Sequence, residues 1–124
     1  MKFTVEKKER YCIFKLNDEN LNSIISPKLK SELVILNAGG FRNIVLDLSE
    51  VKYVDSSGLS AILVGNRLCK DANGTFVLTG VNEIVKKLIK ISQLDSIINV
   101  IPTMSESTDY VMMEELERDL KGEG

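Results

Sequence analysis

The chain has 124 residues, of which 44% are hydrophobic and 27% are charged, a composition typical of one globular domain with a core of its own. It contains no histidine, which excludes Ser-His-Asp and Cys-His catalysis, phosphotransfer through histidine and every zinc site that needs imidazole. The formal net charge is −2, so there is no excess of positive charge with which to bind a nucleic acid backbone.

The cysteines and the N-terminal residues indicate the cellular compartment of the protein. Cys12 and Cys69 lie far apart and form no CxxC motif, so both are expected to be reduced and buried. Residues 1–10 mix charged with apolar side chains and form no signal-peptide core, and no apolar run approaches the ~20 residues of a membrane span. We therefore expect a cytoplasmic protein that does not insert into a membrane, with one domain over residues 1–124.

In chain order, the first elements predict one edge of a sheet. Apolar stretches at 3–6 and 11–16 flank a polar turn at 7–10, a spacing typical of an antiparallel hairpin. Ser26 followed by Pro27 indicates a helix start with serine as the cap, and leucines at helical spacing carry that helix to about residue 38. Residues 44–48 are a short β-branched run typical of a buried parallel strand.

From there strands and helices alternate. The pattern predicts a helix over 57–70, a strand over 75–79, a helix over 82–91 and a strand over 96–100. Ser105 is expected to cap a C-terminal helix over 105–120 of the same domain, which docks through an apolar stripe. That stripe comprises Met112 or Met113, Leu116 and Leu120. The predicted fold class is α/β: a mixed, mostly parallel sheet of about five strands with an N-terminal hairpin and about four helices.

The residue types of segment 51–59 indicate a role beyond packing in the core. It contains Asp55, Ser56, Ser57 and Gly58 between a parallel strand and the helix that follows. In open α/β sheets, ligands and partners gather at the carboxyl ends of strands, where helix N-termini present free N–H groups and partial positive charge. The first three residues are good capping types, and the glycine allows another backbone or a phosphoryl group to come close.

Three interpretations of this segment remain open from the residues alone. It is an ordinary N-cap, or a serine whose phosphorylation changes the charge of a surface, or a serine nucleophile. The last is disfavoured because the chain has no histidine and residues 54–64 include no basic side chain to accept a proton.

Residues 44–48 (IVLDL), 54–59 (VDSSGL) and the pair Ile62 and Leu63 together resemble the anti-sigma-factor antagonist family, the STAS domain. The resemblance spans nearly the whole chain. It implies a non-enzymatic regulator that binds an anti-sigma serine kinase of the GHKL ATPase superfamily and so frees a sigma factor. From the residues themselves we expect no cofactor and no metal.

The resemblance also implies the site residues. The family's phosphorylated serine directly follows the aspartate of the motif, which is Ser56 here, and its modification breaks the complex. Asp55, Ser57, Gly58 and Leu59 would shape the docking surface.

Two further residues of that expected surface depart from the family pattern. Asn22 stands where the family commonly has an aspartate, after an apparent one-residue insertion, so a charge is lost at this edge. Ser60 stands where antagonists often have glycine, and its side chain lies on the first turn beside the acceptor.

Two other functions remain as alternatives. The first is a STAS subunit of a membrane lipid-transport complex, which would bind its ATPase without phosphorylation; such members frequently lack the acceptor serine that this chain has. The second is a nucleotide-sensing module, disfavoured because no Gly-rich phosphate loop or Walker lysine is present. The sequence carries no signal for an oligomeric state.

Overall fold

The strands and helices follow the predicted alternation in a computed structural model that describes residues 1–122. The strands are β1 Phe3–Lys7, β2 Cys12–Leu16, β3 Asn20–Leu21, β4 Ile44–Asp47, β5 Tyr53–Val54, β6 Phe76–Thr79 and β7 Asn99–Ile101. The helices are α1 Ser26–Ala38, α2 Ser56–Asp71, α3 Glu83–Ile91 and α4 Met104–Leu120.

Five strands form the main sheet in the order β1-β2-β4-β6-β7. β1 pairs antiparallel with β2, and every other neighbouring pair in this sheet is parallel. The predicted mixed sheet with an N-terminal hairpin and four helices is therefore confirmed. Because β2, β4 and β6 run parallel, their carboxyl ends lie at one edge, and the chain enters α2 and α3 from that edge.

The two faces of the sheet have separate cores, because side chains alternate along each strand. Ile44 and Leu46 of β4 face α1, α2 and α3 and belong to the larger core. Val45, between them, faces the other way and packs with Val77 and with Val111 of α4. Cys12 and Cys69 are both unpaired and buried in the larger core, as predicted.

A second, two-stranded sheet was not foreseen. β3 pairs in parallel with β5, placing Leu21 opposite Val54. The backbone N–H of Asp55 extends this pairing by donating to the carbonyl oxygen of Leu21 at 3.1 Å. The loops that lead into α1 and α2 are thereby joined to each other.

The prediction that Ser26 caps α1 is wrong. The N-cap is Ile25, which gives no side-chain capping bond, and the Ser26 hydroxyl instead donates to the carbonyl oxygen of Asn22 at 2.7 Å. The prediction that Ser105 caps α4 is also wrong. Thr103 is the cap, and its hydroxyl oxygen accepts from the N–H of Glu106 at 3.1 Å.

The last strand lies later in the chain than predicted. A 3₁₀ turn occupies Leu94–Ser96, after Gln93 reverses the chain with a φ of +61°. Pairing with β6 begins only at Asn99, opposite Val77.

The predicted docking stripe of α4 is wrong as well. The residues that α4 buries are Ser107, Val111 and Glu115, whereas Met112, Met113, Leu116 and Leu120 are exposed. Glu115 takes the inner position because Arg42 meets its carboxylate there through two hydrogen bonds, of 3.2 Å and 2.7 Å. In residues 1–122, none of the helices combines the length and apolar character needed to cross a membrane.

Candidate partner-binding site

The entry of α2 is built around the side chain of Asp55. This residue is the N-cap, in an extended conformation, and α2 begins at Ser56, one residue earlier than predicted. Its Oδ1 atom accepts hydrogen bonds from the N–H of Gly58 at 2.9 Å and from the hydroxyl of Ser57 at 2.6 Å. The N-cap interpretation of this motif is therefore confirmed for Asp55.

These hydrogen bonds keep Asp55 ionised. The hydroxyl of Ser57 does most to hold the pKa of the Asp55 carboxyl below its ordinary value of 3.8, and the N–H groups of Gly58, Ser57 and Ser23 act in the same direction. A carboxylate with a lowered pKa is a weak proton acceptor at neutral pH. The pair of Asp55 and Ser57 is therefore suited to holding the helix entry rather than to activating a nucleophile.

Ser57 is half-buried and its hydroxyl is already engaged. The Ser57 oxygen lies 3.2 Å from the hydroxyl oxygen of Ser26, which in turn donates to the carbonyl oxygen of Asn22. Since each hydroxyl donates its single proton elsewhere, the two serines lie side by side where the starts of α1 and α2 meet. The prediction that Ser57 acts as a capping neighbour agrees with this geometry.

Ser56 has the opposite environment. It is exposed, and among residues 1–122 its hydroxyl has no hydrogen-bond partner. As the first residue of α2 it stands at the end of the helix that carries partial positive charge. Ser60, one turn further on the same side, is also exposed, whereas Leu59 is half-buried and packs against the core.

Gly58 lies below this surface, where α2 packs closely against β3 and β5. A Cβ atom here would lie 2.5 Å from the carbonyl oxygen of Leu21 and 2.6 Å from Cγ1 of Val54. The backbone that comes close to Gly58 is therefore that of the protein's own β3, which fills the space foreseen for a phosphoryl group. Gly58 is buried, so it contributes to the predicted docking surface only by letting α2 approach β3 and β5.

Asn22 borders the site and shapes the loop before α1. It is half-buried, and its Oδ1 accepts from the N–H groups of Ile24 at 3.1 Å and Ile25 at 3.4 Å. The next residue, Ser23, contributes an N–H group to Asp55, so the loop that Asn22 folds lies against the N-cap of α2.

Sequence reasoning missed two exposed apolar residues beside this site. Ile24 follows Ser23 in the loop, and Tyr53 directly precedes the buried Val54 in β5. The available signal was a large apolar side chain a few residues before the start of each of the first two helices. Exposed apolar and aromatic side chains are the types enriched at the centre of protein contacts.

Nothing in the described part of the chain, residues 1–122, groups three or more Cys, Asp or Glu side chains as a metal site would require. The arrangement instead consists of a capped helix entry, an exposed hydroxyl and apolar neighbours, at the carboxyl edge of a mixed sheet. It defines a small α/β domain with an exposed helix entry at the carboxyl edge of its sheet.

Comparison with known proteins identifies that class more closely. The family model described as the STAS domain matches residues 2–107, and the chain belongs to this family. BtrV of Bordetella bronchiseptica, named as an anti-sigma factor antagonist, is 31% identical over 100 residues, which cover 81% of this chain and 85% of that protein. A Thermotoga maritima protein with the same description is 33% identical over 72 residues, and the match spans only 64% of that relative's length and 58% of this chain.

Solved structures of anti-sigma factor antagonists share the fold of this chain. The crystal structure of a T. maritima anti-sigma factor antagonist has a TM-score of 0.79 and 25% identity, covering 89% of this chain and 94% of that one. The Bacillus protein SpoIIAA in its phosphorylated form has a TM-score of 0.69 and 19% identity, covering 89% of this chain and 99% of that one. At this identity SpoIIAA shows a shared fold.

Proposed function

We propose that this protein is a cytoplasmic anti-sigma factor antagonist that binds an anti-sigma serine kinase of the GHKL ATPase type, and that phosphorylation of Ser56 ends the complex. One observation carries the proposal. Of the two adjacent serines at the entry of α2, Ser56 is exposed with an unengaged hydroxyl, whereas Ser57 is held by Asp55. A kinase can reach the first without disturbing the cap.

The fold can tolerate a phosphate at Ser56. The modification adds about −2 of charge and three acceptor oxygens, and the positive end of a helix favours such a group by roughly 0.3–1 kcal/mol. Ser56 makes no hydrogen bond that the modification would break. The shared fold of SpoIIAA in its phosphorylated form is consistent with this expectation.

Phosphorylation of Ser56 would weaken partner binding rather than folding. Residues 54–64 include no basic side chain to neutralise the phosphate, and Asp55 next to it is already ionised. The added charge would therefore stay at the surface, and a partner that covers it must strip its water. Leu59, Ser60 and Asn22 would lie in the same contact, with Ile24 and Tyr53 as apolar neighbours.

The test is incubation with ATP and, in turn, each GHKL-type serine kinase of the source organism, followed by intact-mass analysis. We expect one phosphate on the wild type, none on Ser56→Ala, and one on the matched control Ser60→Ala, which changes another exposed serine on the same helix face. A phosphate that persists on Ser56→Ala would overturn the assignment of the acceptor.

A second measurement concerns the complex. Ser56→Asp is expected to melt within about 1 °C of wild type and to lose kinase binding, because it places charge at the interface without removing a native contact. Unfolding of this variant would contradict the proposal and indicate a purely structural role for Ser56. Stable binding to an ATPase subunit without any phosphorylation would instead favour a STAS subunit of a membrane lipid-transport complex.

A further inference from the structure

The amphipathic helix α4 is turned with its apolar side outward. Met112, Met113, Leu116 and Leu120 are between 43% and 80% exposed. At about 100° per residue they lie on one side of the helix, opposite the inner positions Ser107, Val111 and Glu115. We call these four residues the outer stripe. A contiguous set of large apolar side chains on a helix surface is typical of a protein contact.

Polar contacts fix this orientation. The guanidinium of Arg42 donates two hydrogen bonds to the buried carboxylate of Glu115, and the side-chain amide of Asn43 donates to the same carboxylate. Arg118, one turn further, donates to the hydroxyl of Thr75. Rotating α4 to bury the outer stripe would break these contacts and leave the charges of Arg42 and Glu115 without partners, which is costly. The outer stripe therefore faces outward.

The outer stripe has acidic neighbours. Met113 is preceded four residues earlier by Asp109 and followed four residues later by Glu117, which places both acids on its side of the helix. α4 holds six acidic residues and one basic residue, and although Lys121 just after it pairs with Glu117 at 3.0 Å, the helix keeps an excess of negative charge. An occupant with an apolar stripe edged by lysine or arginine would complement it.

The same chain offers such a surface on α3. Ile84 and Ile91 are 57% and 75% exposed, at positions i and i+7 on one side of that helix. Lys87 lies beside them, and Lys86 and Lys90 add to the positive charge of α3. We call Ile84, Lys87 and Ile91 the α3 face.

The two surfaces lie on opposite faces of the main sheet. Val85 and Ile89 of α3 pack in the larger core, whereas Val111 of α4 packs in the smaller one. One molecule therefore cannot bring its own α3 face to its own outer stripe. Two molecules can.

We propose that the outer stripe of α4 binds the α3 face of a second copy of this chain, so that copies associate head to tail. Charge selects this pairing over α4 against α4, which would bring two acidic helices together. One helix on one helix is a small contact, so the association belongs to the weak, transient class and is favoured by high concentration and low salt. The outer stripe lies on the opposite face of the sheet from α2 and Ser56, and the association does not depend on the proposed function.

The experiment is sedimentation of the full chain at up to about 1 mM in low salt, with two variants. One carries Met113→Gln and Leu116→Gln on the outer stripe, and the other carries Lys87→Glu and Ile91→Gln on the α3 face. All four positions are exposed, so circular dichroism is expected to show wild-type folding for both. Ile35→Gln on α1 is the matched control, because Ile35 is equally exposed but lies outside both surfaces.

We expect the wild type and Ile35→Gln to self-associate and each double variant alone to weaken association at least ~tenfold. A mixture of the two variants retains one intact pair of surfaces, so it is expected to form a complex that stops at two chains. A wild type that stays monomeric throughout, or a mixture that does not associate, would overturn the proposal. Dimers of the α3-face variant alone would also overturn it and show α4 paired with α4.

Discussion

Asp55 and Ser57 are joined by a 2.6 Å hydrogen bond in which the serine hydroxyl donates to Oδ1 of the aspartate. Ser56 lies between them in sequence and outside this contact in space. Of the two neighbouring serines, Ser57 therefore belongs to the helix cap and Ser56 to the surface. The two residues should differ in how much their replacement by alanine lowers the free energy of unfolding.

Ser57→Ala is expected to lower the free energy of unfolding by about 1 kcal/mol, because it removes a hydrogen bond to a charged, half-buried acceptor. Ser56→Ala is expected to change it by less than about 0.5 kcal/mol, since no contact of the side chain is lost. Urea denaturation of the two variants checks both values. Equal losses would contradict the division of roles.

Asp55→Ala is expected to cost about 1 kcal/mol at neutral pH through loss of the N-cap. The pKa of Asp55 is lower in the folded state than its ordinary 3.8, so its ionised form is the one that stabilises the fold. The contribution is complete above pH 3.8 and is lost as pH falls through the lowered pKa. The difference in unfolding free energy between wild type and variant, followed from pH 7 downward, should stay constant until about pH 4 and then shrink. A difference that grows on acidification would be incompatible with this sign.

Gly58→Ala is expected to destabilise the protein by about 1–2 kcal/mol, although alanine is the better helix former. The new Cβ would press on the Leu21 carbonyl, which is backbone and cannot swing aside. Ser60→Ala, on the same helical turn but exposed, provides the control and should have little effect. Thermal unfolding of both variants tests the prediction, and a Gly58→Ala protein as stable as wild type would show that β3 can retreat.

Glu115→Ala is expected to cost about 2–3 kcal/mol. Removing one partner of a buried ion pair typically costs ~3–5 kcal/mol, but the Arg42 side chain is 23% exposed and can recover some water. Asp119→Ala, which breaks the exposed pair with Arg10, is the control and should cost less than about 1 kcal/mol. Urea denaturation compares them, and similar losses would mean that Glu115 does not anchor α4.

Glu115 also has a pH signature. Burial raises the pKa of its carboxyl, but hydrogen bonds from Arg42 and Asn43 and the nearby guanidinium groups outweigh burial and hold it below 4.5. The ion pair therefore stabilises the fold above that pH and weakens as the carboxylate is protonated. The loss caused by Glu115→Ala should shrink at acid pH.

The elements with periodic hydrophobicity were predictable from sequence, and the helix faces were less so. β4 and α2 carry enough apolar residues at fixed spacing to define them. In α4 the apolar stripe predicted docking on the sheet, yet the buried face combines Val111 with the polar Ser107 and Glu115. No pattern within α4 reveals that Arg42, 73 residues earlier in the chain, pairs with Glu115.

The candidate site was predictable in its residues but not in its architecture. The types at 55–58 indicated a cap and a surface serine. Which serine is engaged depends on the direction of the Asp55 side chain, which accepts from Ser57, and on the loop before α1, which the pairing of β3 with β5 brings beside this cap. A two-residue parallel pair has too little periodicity to be recognised in sequence, and the exposed Ile24 and Tyr53 were missed with it.

The pairing of β3 with β5 has an evolutionary consequence. Because the N–H of Asp55 is bonded to the Leu21 carbonyl, an insertion or deletion in the turn before β3 would change the residues that border Ser56 while leaving Ser56 itself in register. Under the proposed function, such changes would alter which partner binds and leave the proposed acceptor in place.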